Sequence, residues 1–273
     1  MADANTLIEH IAGVLEKRNK LEPLFPKGVV EANTTSAVLF LLGRNGERKG
    51  FSGEPCLVLN KRSMMVRQPG DLCFPGGRIS PRLDFYLSKV LKLPFFPLMQ
   101  WPYWPMWRDQ RQPEARRLAL LFATGLRESL EEMRLNPLGL KFLGPMPSQA
   151  LSMFDRVIYP MVVWIRRQKH FLPNWEVEKV VYIPLRNLLN PEAYACYRVH
   201  FKAGYGNQGD GATQDFPCFR YENENEKEVL WGVTFRIVVA FLELVFGFKL
   251  PDMASLPMIY GTLDETYVNR GQR

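Results

Sequence analysis

The sequence has little histidine and cysteine, and it has no long apolar run. Its three histidines are scattered, and its four cysteines form no C-x-x-C pair. This spacing excludes the common zinc sites. Free thiols within apolar runs are typical of a reducing compartment, so we expect a cytoplasmic protein.

The sequence also lacks the features of an exported or membrane-spanning chain. Its N-terminus is acidic and amphipathic, without the basic-then-apolar order of a signal peptide. A membrane-spanning helix needs about 20 apolar residues, and no segment has them. We expect an N-terminal helix and arm over residues 1–34 and no export.

What the sequence has in excess is positive charge. Its formal net charge is +7 and its pI is about 9.2, with 47% hydrophobic and 23% charged residues. This composition indicates a folded globular protein. The charge favours a polyanionic partner, which could be a nucleic acid, a nucleotide, a phosphorylated small molecule or an anionic membrane. A generally basic surface that keeps the protein soluble explains the charge equally well.

Two apolar, β-rich runs at residues 36–42 and 55–59 are separated by a polar, glycine-containing turn and predict a hairpin. A short strand follows and ends in "FPGG", at Gly76 and Gly77. Glycine allows a tight bend and lets a ligand approach the main chain.

An uncharged aromatic segment, "LPFFPLMQWPYWPMW", covers residues 93–107. Its prolines predict an ordered loop rather than a membrane-spanning helix. We interpret it as a lid over a ligand, a membrane-surface contact or the interface of a homodimer. The alternative is a surface excursion that packs on the protein's own core.

A long helix is predicted from about Pro113 to residue 135, because proline suits a first helical turn and no strong breaker follows until Asn136-Pro137. Its apolar stripe at helical spacing consists of Leu118, Phe122, Leu126, Leu130 and Met133. Strands and a last amphipathic helix follow. The pattern predicts one α/β domain over residues 35–250 and a loose C-terminal tail over residues 251–273.

Three carboxylates of the long helix, those of Glu128, Glu131 and Glu132, share one face, because residues three and four apart are neighbours on a helix. Like charges this close repel unless cations neutralise them, and hard oxygen ligands suit Mg²⁺ or Mn²⁺. Acidic runs of this kind are also common on solvated helix faces, where Arg127 and Glu131 would form an ordinary i, i+4 pair.

The pattern R-E-x-x-E-E, preceded by "FPGG", resembles the signature of the Nudix hydrolases, G-x5-E-x7-R-E-U-x-E-E-x-G-U, in which U is apolar. The matching residues are Gly77, Arg127, Glu128, Glu131, Glu132 and Leu135. The segment "LVLNKRSMMVRQPGDLCFPGG" is similar to a motif of the coenzyme A diphosphatase branch. So are the later segments "EVEKVVYIPLRNLLNP" and "LWGVTFRIVVAFLEL".

The sequence departs from that signature in four places and from the branch motif in a fifth. Gly77 and Arg127 are separated by 49 residues, where the signature has 13, so about 36 are inserted, and we assign the insertion to residues 79–112. The first glutamate of the signature aligns with Ala119; the nearest acid is Asp84, and Glu114 is a second candidate. Arg134 and Ser129 replace a glycine and an apolar residue, and the branch's upstream histidine is absent.

The resemblance implies an α/β/α sandwich with a mixed β-sheet between helices, and an enzyme that hydrolyses a diphosphate. It implies that Glu128, Glu131 and Glu132 bind Mg²⁺ or Mn²⁺, and that Glu128 is the general base, oriented by Arg127. A base from a later loop is the alternative, with four candidates: Glu222, Glu224, Glu226 and Glu228.

The implied substrate is a nucleoside diphosphate derivative, with coenzyme A or acyl-coenzyme A first and ADP-ribose or NADH as alternatives; nucleic acid is not favoured. The residues assigned to substrate binding are Arg62, Arg67, Gly76, Gly77 and Arg78, with Lys61 as a weaker candidate. Solvent-facing arginines are the alternative for Arg62 and Arg67. The disrupted first half of the signature also permits a Nudix-fold protein that binds a nucleotide without catalysis, as a sensor.

Overall fold

A computed structural model describes residues 4–22, 24–25, 34–44, 53–151, 156–202, 212–224, 226–263 and 267. In chain order its helices and strands are α1 (Ala4–Leu21), β1 (Thr35–Arg44), β2 (Pro55–Arg62), β3 (Leu72–Cys73), β4 (Gly76–Arg78), α2 (Leu83–Val90), α3 (Trp104–Gln110), α4 (Gln112–Met133), β5 (Leu140–Pro145), β6 (Gln149–Leu151), β7 (Arg156–Ile165), β8 (Val177–Pro184), α5 (Leu185–Leu188), β9 (Tyr194–Phe201), β10 (Thr213–Asn223), β11 (Glu226–Leu230), α6 (Gly232–Phe246) and β12 (Met258–Leu263).

The chain divides into two units. Unit 1 contains Met1–Val58 and Phe74–Leu172, and unit 2 contains Leu59–Cys73 and Pro173–Arg273. All four cysteines are free, as expected. Among the described residues, none of the helices is long and apolar enough to cross a membrane.

The sheet of unit 1 is mixed, with β1 at its centre. β1 pairs antiparallel with β2, where Leu41 lies opposite Val58, and parallel with β7, where Val38 lies opposite Pro160. β7 pairs antiparallel with β5 and β6. Nearly every residue of β1 and β7 is buried, which explains their continuous apolar sequences. This sheet and its helices confirm the predicted α/β class, and the β1–β2 pairing confirms the predicted hairpin.

Helix α4 lies against β1 and begins where the proline pattern predicts. A Cβ added at Gly125 would lie 2.7 Å from Cδ2 of Leu39, so glycine permits the close approach of helix and strand. Most of the predicted apolar stripe is buried, but Leu130 is an error in that prediction because 41% of it is exposed. Helical spacing gives the direction of a side chain, whereas burial also requires a partner on that side.

The aromatic segment is part of the core of unit 1. Its three tryptophans, Trp101, Trp104 and Trp107, are at most 4% exposed. The indole nitrogen of Trp101 donates to the carbonyl of Leu143 at 3.2 Å, and that of Trp107 donates to Glu16 at 3.2 Å. The tryptophans therefore pack on the protein's own core, which was the alternative interpretation of this segment. Part of the expected loop is helix α3.

Unit 2 contains a four-stranded sheet in the order β11, β10, β9, β12. β12 comes from the tail that was expected to be loose, and it pairs in parallel with β9, where Ile259 lies opposite Tyr197. The indole ring of Trp231 packs on the rings of Tyr197 and Phe216. These ring contacts connect the start of α6 to strands β9 and β10 of the same unit.

Candidate functional site

Two glycines bring the main chain of β4 close to α4 and β1 in unit 1. β4 pairs antiparallel with β1, where Gly77 lies opposite Ala37. Gly76 has a φ of +152° and a Cβ there would overlap the carbonyl of Ala37, while a Cβ at Gly77 would overlap the carboxylate of Glu128. Glycine at both positions therefore permits a close approach of the Ala37 main chain and of the Glu128 carboxylate that any other residue would prevent.

Two of the three predicted metal ligands lie at this glycine turn. The main-chain nitrogen of Gly76 donates to Oε1 of Glu132 at 3.4 Å. Oε1 of Glu128 lies 3.0 Å from Nη1 of Arg127. Burial raises the pKa of Glu128, and the charge of Arg127 opposes that effect. Glu128 and Glu132 therefore both contact the "FPGG" glycines.

The third predicted ligand, Glu131, shares Arg127 with Glu128. Its Oε2 lies 3.3 Å from Nη1 of Arg127, the atom that Oε1 of Glu128 also contacts, and its side chain is 55% exposed. Within the ranges that the structure describes, no three acidic, thiol or imidazole groups are arranged to hold a metal ion. The carboxylates of Glu128 and Glu132 still provide hard oxygen donors of the kind that Mg²⁺ and Mn²⁺ prefer.

Asp84 is the acid that pairs with Arg127. It is fully buried on α2, and its Oδ1 accepts from Nε of Arg127 at 2.7 Å. The Thr124 hydroxyl and the Ser80 main-chain nitrogen donate to Oδ2 of Asp84 at 2.8 and 2.6 Å. Arg127 also donates to the carbonyl of Arg78 at 3.0 Å. These contacts fix the guanidinium between α2, β4 and the carboxylates of α4.

The surroundings of Arg127 also determine its charge. Burial alone would lower the pKa of its guanidinium, but the hydrogen bond that it donates to Asp84 and the charges of Glu128, Asp84 and Glu131 outweigh that effect and raise the pKa. Arg127 therefore stays protonated. The other candidate acid, Glu114, pairs with Arg111 at the start of α4.

The two unusual residues near the end of α4 have local structural roles. The hydroxyl of the buried Ser129 donates to the carbonyl of Gly125 at 2.6 Å, so a polar group is satisfied inside the helix. Arg134 has left-handed backbone angles, φ 55° and ψ 40°, and its nitrogen donates to Leu130. Leu135 donates to Ser129 at 3.3 Å. These two hydrogen bonds form a helix C-cap, and the left-handed position in such a cap usually holds glycine. This explains why the signature has a glycine where this chain has Arg134.

Replacing Arg134 by glycine is expected to stabilise the protein by about 1 kcal/mol, because glycine has no Cβ to strain the left-handed conformation. Urea unfolding at equilibrium measures this difference. Arg116→Gly is the matched control, since it places glycine inside α4 and is expected to destabilise by a similar amount. Equal destabilisation by both changes would contradict the strain at Arg134.

The other predicted substrate contacts belong to unit 2 or point away from the turn. Nε of Arg62 donates to the carbonyl of Arg67 at 2.7 Å, so this side chain closes its own loop, while Arg67 is exposed. Lys61 contacts Glu228 at 3.2 Å and Glu178 at 3.5 Å. Arg78 is exposed on unit 1 and binds Arg127 through its carbonyl oxygen.

The four alternative bases differ in their surroundings. Glu228 is buried and bound by Lys61 and Lys179, and Glu226 lies 3.4 Å from Lys179. Glu222 pairs with Lys227, and Glu224 is exposed. The ion pairs with Lys179 tie Glu226 and Glu228 to β8, so we assign these two residues a structural function.

Sequence reasoning missed Asp71, a partly buried carboxylate in unit 2. Its Oδ1 accepts from the indole nitrogen of Trp231 at 3.1 Å, and its Oδ2 accepts from the hydroxyl of Tyr267. Burial raises the pKa of Asp71 to about 6, against these hydrogen bonds and the charge of Arg62. The neighbouring "PG" is typical of a turn. No sequence pattern linked Asp71 to Trp231 and Tyr267, which follow it by 160 and 196 positions.

Asp71 is expected to make the stability of the protein depend on pH. Since its pKa is raised in the folded state, its contribution is fully present below about pH 4 and is lost as the pH rises through about 6. Asp71→Asn should therefore stabilise the protein relative to wild type by up to about 3 kcal/mol more at pH 7 than at pH 4. Unfolding with urea at both pH values measures this difference. Asp109→Asn, at an exposed ion pair, is the control and should show no such change.

Comparisons with known proteins give structural neighbours of low similarity. No family model matches the chain, and no curated protein matches it. A solved structure of an Ap4A hydrolase from C. elegans is 12% identical with a TM-score of 0.35, over 56% of this chain and 83% of that one. A NUDIX hydrolase from Nitrosomonas europaea is 10% identical with a TM-score of 0.37, over 89% and 85%. The NUDIX domain of Shewanella oneidensis NrtR, in complex with ADP ribose, is 15% identical with a TM-score of 0.34, over 64% and 86%.

Proposed function

We propose that this protein is a metal-dependent hydrolase of the Nudix superfamily that cleaves a diphosphate linkage in a nucleoside diphosphate derivative. The observation that carries the proposal is the meeting of Gly76 and Gly77 with Glu128 and Glu132, beside an arginine fixed by Asp84. In chain order these residues follow the Nudix signature, with Asp84 in place of its first glutamate. We further propose that residues 35–250 form the catalytic domain, with residues 79–112 inserted.

In this proposal Glu128 and Glu132 hold Mg²⁺ or Mn²⁺ at the glycine turn, and Glu131 joins them by turning from Arg127. The bound ion neutralises charge on the diphosphate and makes a bound water more acidic. The glycines let the main chain of the turn lie against the carboxylate of Glu128, one of the proposed metal ligands. Glu128 and Glu132 already lie at the turn, so Glu131 is the one ligand of the three that has to move.

Glu128 is the proposed general base. Burial raises its pKa, and the salt bridge to Arg127 orients its carboxylate. Arg127 is itself fixed at the opposite side by Asp84. Glu222 and Glu224 remain as alternatives from a later segment because both are exposed, whereas Glu226 and Glu228 are less exposed and are held by Lys179.

For the substrate we propose coenzyme A or acyl-coenzyme A. The support is the similarity of residues 57–77 and of two later segments to the coenzyme A diphosphatase branch. Arg62, Arg67 and Arg78 are proposed to bind the phosphates, since a guanidinium pairs with phosphate through two hydrogen bonds. ADP-ribose and NADH are the alternative substrates.

A protein that binds a nucleotide without hydrolysing it is the second candidate. The ion pair of the 55% exposed Glu131 with Arg127, which has to open before Glu131 can bind a metal ion, favours it. The Asp84–Arg127 pair favours the enzyme, because it supplies the acid that the signature needs in this position.

The test is incubation of the purified protein with coenzyme A, acetyl-coenzyme A, ADP-ribose and NADH, with Mg²⁺, with Mn²⁺ and with EDTA. Chromatography separates the mononucleotide products. We expect metal-dependent release of a phosphorylated pantetheine and adenosine 3′,5′-bisphosphate from coenzyme A. Binding measured by calorimetry without any product would support the sensor, and neither binding nor turnover would contradict both proposals.

A further inference from the structure

Helix α2 exposes its apolar side chains and buries its polar ones. The face against α4 carries Asp84, which is fully buried, and Ser88, which is 8% exposed. The outward face has five large apolar side chains that are 36 to 65% exposed: Leu83, Phe85, Tyr86, Leu87 and Val90. A helix on the surface of a globular protein normally has the reverse arrangement.

The contacts of Asp84 explain why the helix keeps this orientation. Its carboxylate accepts from Arg127, Thr124 and the main chain of Ser80, so rotating α2 to bury its apolar face would leave these groups unpaired. A buried charge that loses its partner costs more than exposed apolar surface can recover. The apolar face is therefore held outward.

The exposed apolar surface continues past the end of α2 and carries only positive charge. Leu93 and Phe95 are 44 and 54% exposed. Within residues 79–99, all of which the structure describes, the exposed charged side chains are Arg82, Lys89 and Lys92, and the single acid is the buried Asp84. Nζ of Lys89 lies 4.3 Å from the ring centroid of Phe85. Large apolar groups and cations are interleaved on one face.

We propose that this face, defined as residues 82–95, docks on an anionic lipid bilayer. Aromatic and leucine side chains at the level of the lipid headgroups, flanked by lysine and arginine, are the chemistry by which amphipathic helices bind such surfaces. Each cation near an anionic leaflet adds to the attraction, and the basic charge of the whole chain has the same sign. This surface precedes the tryptophans of the segment 93–107, which are buried and cannot make the contact.

Charge decides against a second copy of the chain as the occupant. In a two-fold dimer the same patch faces itself, so Arg82, Lys89 and Lys92 would approach the same three cations. No acid on the face offsets that repulsion. An anionic bilayer matches both the apolar and the charged groups.

Sedimentation of the full-length protein with phosphatidylcholine vesicles, with and without phosphatidylserine, tests the proposal. We expect binding to the vesicles that contain phosphatidylserine, and weaker binding at high salt because the charges are screened. Phe85→Ser with Tyr86→Ser should raise the lipid concentration for half-binding by about tenfold or more. Lys89→Glu with Lys92→Glu should abolish the preference for phosphatidylserine.

Leu172→Ser with Trp175→Ser is the matched control, since these side chains are 70 and 67% exposed outside the face. Vesicle binding should be unchanged in this control, and thermal melting shows that each variant is folded. Three results would overturn the proposal: no binding to either vesicle, equal binding to both, or equal binding of wild type and the Phe85/Tyr86 variant. A dimer in solution that only the Phe85/Tyr86 variant loses, without lipid binding, would assign the face to a second copy.

Discussion

Replacing Glu128 by glutamine is expected to lower kcat by about 100-fold or more on whichever diphosphate substrate the protein hydrolyses. Glutamine keeps the size of the side chain and its position at Gly77, but it removes the charge that a metal ion and a water molecule require. It also removes the ion pair with Arg127. Initial rates over a range of substrate concentrations separate kcat from KM.

Two further variants make this prediction specific. Glu132→Gln, at the carboxylate that accepts from Gly76, should have an effect of similar size. Glu243→Gln changes an exposed glutamate at the end of α6 and is the control, with unchanged kcat. If the wild-type protein is active and both Glu128→Gln and Glu132→Gln keep its turnover, the proposed site is contradicted while the proposed activity is not.

Replacing Asp84 by asparagine is expected to destabilise the protein by about 3 kcal/mol, because Arg127 would lose the buried carboxylate that neutralises it. It should also lower kcat by roughly 10- to 100-fold, since Arg127 then orients Glu128 less firmly. Urea unfolding measures the first effect, and initial rates below the unfolding transition measure the second.

A double-mutant cycle with Arg127→Met tests whether the two residues act as a pair. The double variant should lose less stability than the sum of the single variants, by about 1 kcal/mol or more. Glu114→Gln is the control, because it breaks the partly exposed pair with Arg111 at the same helix and should cost less than about 1 kcal/mol without changing kcat. Additive effects of Asp84→Asn and Arg127→Met would contradict the assignment of Asp84.

The parts of the fold that the sequence predicts are those with local causes. The proline at the start of α4 and the polar turn between the apolar runs of β1 and β2 act on neighbouring residues, and both predictions are confirmed. Helical spacing alone places Glu128 and Glu132 one turn apart, and the glycine pair forms the first two residues of β4. These features are sufficient to propose a site.

The remaining features depend on partners that are distant in the sequence. Asp84 reaches Arg127 across 43 positions, and a signature that counts residues cannot locate it inside an insertion. The composition of the tryptophan segment is equally compatible with a surface and with a core, and the partners in α1 and β5 decide. Periodicity could have indicated the two faces of α2 but not that the polar face is inside. The sequence of β12 has no strand pattern, and the segment forms a strand because it pairs with β9.

The order of the two units along the chain has a consequence for synthesis. Unit 1 has all its residues once Leu172 has been made, including the strands β1, β4, β5, β6 and β7. Unit 2 must wait for the other end: the main-chain nitrogen of Gln68 donates to the carbonyl of Tyr267 at 2.7 Å, and the hydroxyl of Tyr267 binds Asp71. Because domains fold as their residues emerge from the ribosome, unit 1 is expected to fold during translation. The loop around Gln68 and Asp71 closes only afterwards, when Tyr267 reaches it.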